Sequence, residues 1–456
     1  MSIFQHQSDF AATARQMYLY HCNPGAFTRL TPPWESVQVE ESDTGISEGV
    51  VRHLKVGPTP LQIGWVARHE DFQADRQFVD RQVEGPFKSW KHSHLFQDLE
   101  EGRVNLTDRI EYEAPFRIPI SFLLEKKLRP MFRYRHRQTA RDLELIQRYP
   151  GPVSSTDQRP LKIAVTGASG FLGSSLVSFL EVAGHKVLRL TRGYVRRDER
   201  SAVWWPEPDL QALEGLDAVI HLAGETVGQL WTSSARERIL FSRGEGTDRL
   251  CCALARLQRP PKALLSASAT GFYAQDSNGP VDEFAESGDQ FLSEVCRLWE
   301  SSTKAAEAAG IRVCRMRIGL VVGSGGGFLA PQLPAFRLGL GAVLGDGQQM
   351  QPFIDRDDVV GSIYHLLHRE DLSGAFNLTA PQPVTQQVFA EKLATACSRP
   401  LWVRVPEAPL RKVLKDQADL LFCGVEAIPS RLLESGYKFL APTLEESLKH
   451  QMGLPD

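Results

Sequence analysis

The 456-residue sequence lacks a strong charge of either sign and any long uncharged apolar run. Lysine and arginine number 52 against 55 acidic residues, so the net charge of −3 gives no bulk attraction to nucleic acid or to a membrane surface. No segment is apolar over a bilayer-spanning length, and the first residues carry no basic region followed by an apolar stretch. We therefore expect a cytoplasmic protein with a small-molecule substrate and neither a nucleic-acid nor a membrane partner.

A cysteine framework is also missing. The seven cysteines are scattered and form no C-x-x-C pair; they are residues 22, 251, 252, 296, 314, 397 and 423. This distribution argues against a disulfide scaffold and a cysteine zinc site, so most of these side chains are expected to be small buried hydrophobic groups.

The chain is too long for one ordinary core, which predicts two or three domains. Residues 1–150 read as strands separated by turns, and 151–160 as a linker rich in Pro, Ser and Gly. The predicted strand-like runs are 37–41, 49–56, 61–69, 76–83, 90–98 and 104–113, with a short helix near 16–21 and a long one over 121–149. A strand meander closed by a long helix predicts an α+β domain.

This first domain resembles the helix-grip fold of the START and polyketide-cyclase-like (SRPBCC) superfamily. Three stretches carry the resemblance: Asn23 to Phe27, Gly85 to Phe96, and Asp108 to Tyr112. The resemblance implies a curved sheet around a long helix, with a cavity for an apolar or aromatic ligand.

Two histidines in this domain, His92 and His94, alternate on one face of a predicted strand. They could form the polar end of a cavity, but we expect a solvated face. Two histidines without a third ligand nearby in sequence make a poor metal site, so the sequence predicts no metal centre.

The second part of the chain opens with a short apolar strand, Ile163 to Thr166, followed by glycines spaced as G-x-x-G-x-x-G at Gly167, Gly170 and Gly173. Such a turn lets the chain reverse, lets backbone N–H groups approach a pyrophosphate, and lets the next helix pack closely on the strand. The helix N-terminus then faces the anion. We interpret this stretch as the start of a dinucleotide-binding α/β domain, a Rossmann fold with a doubly wound parallel sheet over 161–400.

The second strand is predicted over Val187 to Leu190, and Arg192 follows it where an NAD-binding protein would carry an acidic side chain for the ribose hydroxyls. A guanidinium can bind a 2′-phosphate that a carboxylate would repel, so we predict NADP rather than NAD. The alternative is a surface arginine in a basic loop with Arg196 and Arg197.

Later strands end in candidate site residues, because ligands in open α/β sheets bind at the carboxyl ends of the strands. Asp217 to His221 leads into a glycine turn at Gly224, and Ala263 to Ala269 ends in hydroxyl side chains. Ser268, Tyr273 and Glu225 are the catalytic candidates. Tyr273 could equally be a packing aromatic beside Phe272, and Glu225 a hydrogen-bond anchor of its loop.

These blocks resemble the extended short-chain dehydrogenase/reductase superfamily, in its epimerase-like oxidoreductase branch. Further blocks that carry the resemblance are Ser242-Arg243, Trp299-Glu300 and Gly374 to Leu378. The resemblance implies a small C-terminal lobe of uncharacterised type, 401–456, and dimers are common among superfamily members, so a homodimer is possible. With the glycine motif, it implies a cofactor site made of Thr166, Gly167, Ser169, Gly170, Phe171, Leu172, Gly173, Arg192, Leu222, Ala223, Gly224, Ser266, Ala267, Arg317 and Gly319.

The sequence departs from this superfamily in catalysis, because it contains no Y-x-x-x-K pair. That lysine lowers the pKa of the tyrosine, whose phenol exchanges a proton with the substrate oxygen. Aligning Trp299-Glu300 with the end of the superfamily's catalytic-helix pattern places Leu292 at the tyrosine position and Cys296 at the lysine position. Neither side chain can do the work of the residue it replaces.

Three functions remain open. The chain could be an NADP(H)-dependent oxidoreductase acting on a small organic substrate, in which Ser268 polarises the substrate oxygen and Tyr273 or Glu225 supplies the proton. It could be a non-catalytic NADP(H)-binding sensor whose helix-grip domain is the receptor. A nucleotide-sugar epimerase or dehydratase is disfavoured by the missing pair.

Overall fold

A computed structural model describes residues 1–39, 45–58, 60–114, 121–149, 152–153, 159–193, 200–274, 279–422 and 424–455. The chain divides into two compact units: the first holds 1–160, 177–186 and 453–456, and the second holds 161–176 and 187–452. Arg196, Arg197, Cys423 and most of the predicted linker lie outside the described residues. The predicted domain limits stay predictions.

The first unit contains a seven-stranded sheet in the order β1-β7-β6-β5-β4-β3-β2, with antiparallel pairing throughout. Its strands are β1 (Ser2–Phe10), β2 (Val37–Val39), β3 (Val51–Val56), β4 (Ile63–Gln73), β5 (Gln77–Glu84), β6 (Ser89–Asp98) and β7 (Val104–Glu113). Its helices are α1 (Ala14–Cys22), α2 (Ala26–Leu30) and α3 (Ser121–Arg148). The long α3 packs on the sheet through Phe132, whose ring centroid lies 5.3 Å from that of Phe4. The predicted α+β helix-grip architecture is confirmed.

Strand β1 was not predicted from the sequence. Its inward positions alternate correctly, but only Phe4 and Phe10 are apolar among them. His6 and Ser8 take the positions between and both meet His136 of α3. Polar inward residues hide the period-2 hydrophobic signal on which strand prediction depends.

The expected solvated face at His92 and His94 is wrong. The two rings do share one face of β6, with centroids 4.0 Å apart, but His92 is only 6% exposed and His94 only 1%. At these positions the face of the sheet is buried, and Asp80 of β5 and Asp108 of β7 supply hydrogen-bond acceptors. Hydrophobic patterning misassigned the face because charged partners on neighbouring strands, rather than water, satisfy the imidazoles.

The part of the chain from residue 161 onward alternates strands and helices. Its strands are β8 (Lys162–Thr166), β9 (Lys186–Arg192), β10 (Ser201–Trp205), β11 (Ala218–His221), β12 (Ala263–Ala269), β13 (Arg312–Ile318), β14 (Leu320–Gly323), β15 (Gly326–Gly327), β16 (Ala342–Leu344), β17 (Met350–Gln351), β18 (Phe353–Asp355), β19 (Gly374–Leu378), β20 (Val384–Thr385) and β21 (Val403–Val405). Its helices are α4 (Phe171–Val182), α5 (Leu210–Leu213), α6 (Ser233–Ala255), α7 (Phe291–Ser301), α8 (Lys304–Ala308), α9 (Leu333–Arg337), α10 (Arg356–His368), α11 (Gln386–Ala396), α12 (Glu407–Leu414), α13 (Asp419–Phe422), α14 (Ser430–Glu434) and α15 (Leu444–Gln451).

The main sheet of this part has the order β10-β9-β8-β11-β12-β13-β19. Parallel pairing joins β10 to β9, β8 to β11, and β11 through β12 and β13 to β19. The chain runs outward from β8 in one direction and returns to its other side with β11, which confirms the predicted Rossmann topology. The switch point between β8 and β11 is where such sheets bind a dinucleotide.

Within the described residues, three smaller sheets lie outside the main one: β15-β14-β18, β16-β21 and β17-β20. The first of them follows β13 directly, and β16 is paired by β21 from the predicted C-terminal lobe. A separate core forms here around Phe353, Phe389 and Leu444. Among the described residues, no helix has the length and apolarity needed to cross a membrane.

Candidate functional site

The glycine turn after β8 is built so tightly that two of its positions exclude a side chain. Gly167 has a φ of 68°, in the left-handed region, and a Cβ there would lie 3.0 Å from the backbone nitrogen of Ala223. A Cβ at Gly173 would lie 2.0 Å from the carbonyl oxygen of Gly167. Gly170 is looser, with its nearest contact at 3.2 Å. The turn thus brings the start of α4 onto the end of β8, the cradle that a dinucleotide phosphate needs.

Thr166, fully buried at the end of β8, ties this turn to the loop after β11. Its hydroxyl oxygen accepts the N–H groups of Leu222 and Ala223, each at 3.1 Å, and lies 2.7 Å from Nδ1 of His221. Because the oxygen already accepts two bonds, its proton goes to Nδ1, and Nε2–H of His221 donates to Thr247 at 3.0 Å. Burial lowers the pKa of His221 to about 4, which keeps this neutral tautomer. Thr166 therefore holds the loop after β11 against the end of β8.

The loop after β11 is partly exposed and is held from α6. The N–H of Glu225 donates to the Ser242 hydroxyl at 3.0 Å, and its carbonyl accepts from Arg243 at 2.9 Å. Arg243 is buried, and its guanidinium lies 4.8 Å from the Trp299 ring centroid. A Cβ at Gly224 would come within 3.1 Å of that guanidinium carbon. A buried cation thus lies under the loop.

A row of polar side chains crosses the carboxyl ends of three neighbouring strands. Ser268 of β12 is the register partner of Arg317 of β13, which is the partner of Asn377 of β19. Ser268 donates to Glu300 at 2.8 Å, and Arg317 donates to both oxygens of the same carboxylate at 2.8 and 3.0 Å. Tyr273 completes the row, accepting from Arg317 at 2.9 Å and donating to Asn377 at 2.6 Å. The structure therefore joins two catalytic candidates, Ser268 and Tyr273, in one network.

Tyr273 within this network is fully buried, and burial raises its pKa to about 12 even though Arg317 acts in the opposite direction. A phenol tuned for proton transfer near neutral pH needs the opposite shift. Its ring also packs beside Phe272, with centroids 5.5 Å apart.

Glu225, the third catalytic candidate, belongs to a different group of side chains. Its carboxylate accepts from Gln229 at 3.1 Å and lies 3.5 Å from Nε of Arg238, with about a quarter of the side chain exposed. It is more accessible than Tyr273, and its backbone anchors the loop to α6.

The two positions at which the superfamily carries tyrosine and lysine face the end of β12. A Cβ at Gly271 would lie 3.2 Å from Cβ of Leu292, and Sγ of Cys296 lies 3.7 Å from the Ala269 carbonyl. Burial raises the pKa of Cys296 to about 11, so this thiol is neutral. Neither residue brings a cation or a ready proton to the strand end.

The other predicted cofactor residues fall around the same edge of the sheet. Arg192 ends β9 and is exposed, and Ser169 is exposed on the turn. Phe171 and Leu172 begin α4, and the Phe171 ring fills space that a side chain at Gly323 would occupy. The remaining positions are packed rather than open: Ser266 is 1% exposed, Ala267 is 5% exposed, Arg317 is 5% exposed, and a Cβ at Gly319 would lie 2.1 Å from the Pro352 carbonyl.

Sequence reasoning gave no role to Glu300, Asn377 or Arg243, which organise the strand-end network and the loop. Each lies in a block that carried the family resemblance, Trp299-Glu300, Gly374 to Leu378 and Ser242-Arg243. A signal was available only for Asn377, an amide inside the apolar strand Gly374–Leu378, which marks a buried polar partner. Glu300 and Arg243 lie on helices that carry other charged residues, so their positions were not distinguished.

Comparison with known families covers most of the chain. Residues 163–379 match the NAD dependent epimerase/dehydratase family, and 405–451 match a domain of unknown function, DUF1731. Residues 10–144 match the polyketide cyclase / dehydrase and lipid transport family. The SRPBCC resemblance of the first part of the chain and the epimerase-like resemblance of the second are both confirmed.

Individual proteins of the epimerase family are similar to the second part of the chain. An epimerase family protein of Mycobacterium tuberculosis is 35% identical over 298 residues, 64% of this chain and 98% of the relative. A chloroplastic SDR39U1 homologue of Arabidopsis thaliana is 33% identical over 306 residues, 65% of this chain and 88% of the relative.

Solved structures that resemble the chain include the following two. A crystal structure of a nucleoside-diphosphate sugar epimerase from Corynebacterium glutamicum has a TM-score of 0.81 and 28% identity, covering 99% of this chain and 90% of the other. Human SDR39U1 with NADPH has a TM-score of 0.59 and 31% identity, covering 63% of this chain and 98% of the other.

Proposed function

The chain belongs to the NAD dependent epimerase/dehydratase family, and from that membership we propose that it is an NADP(H)-dependent oxidoreductase acting on a small organic substrate. The proposal depends on one observation: a glycine turn and a row of hydrogen-bonded polar side chains lie at the same edge of the parallel sheet. The glycine turn follows the carboxyl end of β8, and the hydrogen-bonded row of Ser268, Glu300 and Arg317 lies at the carboxyl ends of β12 and β13.

The cradle fits a dinucleotide because no side chain can be accommodated at two of its three glycine positions. Gly167 and Gly173 cannot carry a Cβ, so backbone rather than side chains faces the site of the pyrophosphate. Exposed Arg192 at the end of β9 would bind the 2′-phosphate of NADP. The human relative at 31% identity was crystallised with NADPH, which supports the same preference.

The chemistry would proceed beside Ser268. NADPH, when bound, supplies a hydride. The Ser268 hydroxyl would polarise the substrate oxygen by turning its one proton from Glu300 to that oxygen as a hydrogen-bond donor, while Arg317 holds the carboxylate in place. Glu225 has better access than the buried Tyr273 to supply the proton, and Tyr273 would then hold Arg317 in place.

Buried Arg243 would supply the positive charge that the lysine of the Y-x-x-x-K pair supplies in other members of the superfamily. Its guanidinium lies under Gly224, beside the ring of Trp299 on α7, the helix that also carries Cys296. A fixed positive charge there would favour developing negative charge at the active site without requiring a lysine.

The first unit would bind an apolar or aromatic ligand, as its family match to polyketide cyclases and lipid transport proteins suggests. Joined to the oxidoreductase by a short linker, it would raise the effective concentration of that ligand. Separating the two parts should then raise the apparent KM without abolishing cofactor binding. Unchanged kinetics would remove this role.

A nucleotide-sugar epimerase is the second candidate, favoured by the name of the Corynebacterium structure that matches over 99% of this chain. Leu292 and Cys296 at the tyrosine and lysine positions weigh against it, because epimerisation through a keto intermediate needs a base for the sugar hydroxyl.

Stopped-flow oxidation of NADPH tests the proposal against a panel of carbonyl and enone compounds, with nucleotide sugars as a separate arm. We expect substrate-dependent oxidation that Glu225→Gln slows at least about tenfold, since positioned acids contribute about 10²–10⁴-fold. Tyr273→Phe should retain most of the rate. Turnover that survives both substitutions would remove both acid candidates, and cofactor binding without any turnover would favour the sensor.

A further inference from the structure

The first unit contains a buried cluster of histidine and aspartate side chains on three adjacent strands. Asp80 of β5 lies directly opposite His92 of β6, and Asp108 of β7 lies opposite His94. His92, His94 and Asp108 are between 1% and 6% exposed. Removing two carboxylates and two imidazoles from water costs free energy. Hydrogen bonds, opposite charges or a bound metal ion inside the protein must offset that cost.

Three donor atoms of this cluster converge on one point. Nε2 of His94 lies 3.3 Å from Oδ2 of Asp80, and Nδ1 of His92 lies 4.0 Å from the same oxygen. One ligand atom from each of the three residues fits within a span of 4.8 Å. Ligands of a tetrahedral zinc ion at about 2.0–2.1 Å stand about 3.3–3.4 Å apart, so small side-chain movements suffice.

The opposite ring nitrogens both lie beside a second carboxylate. Oδ1 of Asp108 lies 2.7 Å from Nε2 of His92 and 2.7 Å from Nδ1 of His94. Its other oxygen, Oδ2, lies 2.8 Å from Nε2 of His136. This leaves Nδ1 of His92 and Nε2 of His94 directed at Asp80. A carboxylate behind a histidine is the usual outer shell of a protein metal site.

The remaining carboxylate oxygen of Asp80, Oδ1, contacts Nδ1 of His69. Oδ2 is thus the oxygen presented to the two histidines. About a quarter of the Asp80 side chain is exposed, which provides a route from solvent to the cluster.

We propose that Asp80, His92 and His94 bind a divalent transition-metal ion, zinc before others, through Oδ2, Nδ1 and Nε2. Asp108 lies behind both rings and is hydrogen-bonded to Nε2 of His92. Two histidines and one carboxylate leave at least one coordination position for water or for an oxygen of a bound ligand, as in zinc sites with three protein ligands. Sequence reasoning did not find this candidate because Asp80 is twelve residues from His92 and is brought beside it by strand pairing.

Zinc titration of the full-length protein tests the proposal. Chelator-stripped wild type would be titrated with zinc against a chromophoric competitor, and bound metal counted by mass spectrometry. We expect one zinc per chain. His94→Gln should weaken binding by more than the about 10–100-fold that loss of an outer-shell partner costs. His53→Gln is the matched control, since His53 is exposed on β3 of the same sheet, and it should bind zinc as the wild type does.

Cobalt spectra and a second variant distinguish loss of metal binding from misfolding of the variant. Cobalt in the wild type should show visible ligand-field bands of low-symmetry coordination that disappear in Asp80→Asn, with far-UV circular dichroism unchanged. If His94→Gln does not fold, Asp80→Asn carries the comparison. Wild type without stoichiometric zinc, folded ligand variants that bind as wild type does, or an equal loss in His53→Gln would overturn the proposal.

Discussion

Replacing Gly173 by alanine is the sharpest perturbation of the dinucleotide cradle. The new Cβ would lie 2.0 Å from the Gly167 carbonyl oxygen, 2.8 Å from the Gly167 carbonyl carbon and 2.9 Å from Cα of Ala168. All three atoms belong to the backbone, so no rotamer change can relieve the overlap. The turn must move away from α4, and its N–H groups leave the positions in which they would face a pyrophosphate.

The expected loss follows from these contacts. Overpacking costs about 1–3 kcal/mol, and a misplaced hydrogen bond to a charged group costs about 1.5–3 kcal/mol. We therefore expect NADPH to bind at least about tenfold more weakly, since 1.4 kcal/mol corresponds to tenfold in Kd. Titration of NADPH fluorescence measures this Kd, with circular dichroism confirming the fold.

Two glycines serve as controls for this substitution. Gly170→Ala meets its nearest atom at 3.2 Å and should have a smaller effect. Gly246→Ala lies within α6, where the nearest atom is a ring carbon of Trp204 at 3.7 Å, so NADPH binding should be unaffected. A folded Gly173→Ala protein that binds NADPH within about twofold of wild type would refute the reasoning from backbone overlap.

Three further predictions concern the site. Arg192→Ala should weaken NADPH about 10–100-fold through loss of charge-assisted bonds while barely changing NADH, and equal losses measured by titration would contradict a 2′-phosphate role. Tyr273→Phe removes the hydroxyl between Arg317 and Asn377 and should cost about 1–3 kcal/mol in urea unfolding, whereas unchanged stability would show that the network contributes nothing. Burial lowers the pKa of His221 to about 4 from an unfolded value near 6.5, so the unfolded state binds the extra proton first and stability falls as pH falls. Between pH 7 and pH 5 this histidine should remove about 2 kcal/mol, and the pH dependence of urea unfolding should shrink by that amount in His221→Gln; an unchanged dependence would contradict the burial argument.

The sequence predicted the elements whose signals are local. The turn at Gly167 to Gly173 and the strands around it follow from glycine spacing and short apolar runs, and the topology followed from their alternation. Strand β9 runs two residues beyond the predicted Leu190, because it continues through Thr191 to Arg192. Period and composition were sufficient here, since each signal lies within about ten residues.

The side-chain partnerships could not be predicted, because they join residues distant in sequence. Glu300 meets Ser268 and Arg317 only through the packing of α7 on the parallel sheet. Asp80 meets His92 only through the register of β5 and β6. Residue types in a linear pattern suggested hydroxyls and histidines as candidates, but which carboxylate completes each cluster depends on the folded geometry.

Deuteride transfer from [4,4-²H₂]NADPH, which carries deuterium on both faces of C4, tests the oxidoreductase assignment most directly. The full-length protein would be mixed with the labelled cofactor and each substrate of the carbonyl and enone panel, and the products analysed by mass spectrometry. The account predicts one deuterium in the product, with the label lost or strongly reduced in Ser268→Ala. Tight NADPH binding with no transfer to any substrate would contradict it and identify the chain as a binding protein.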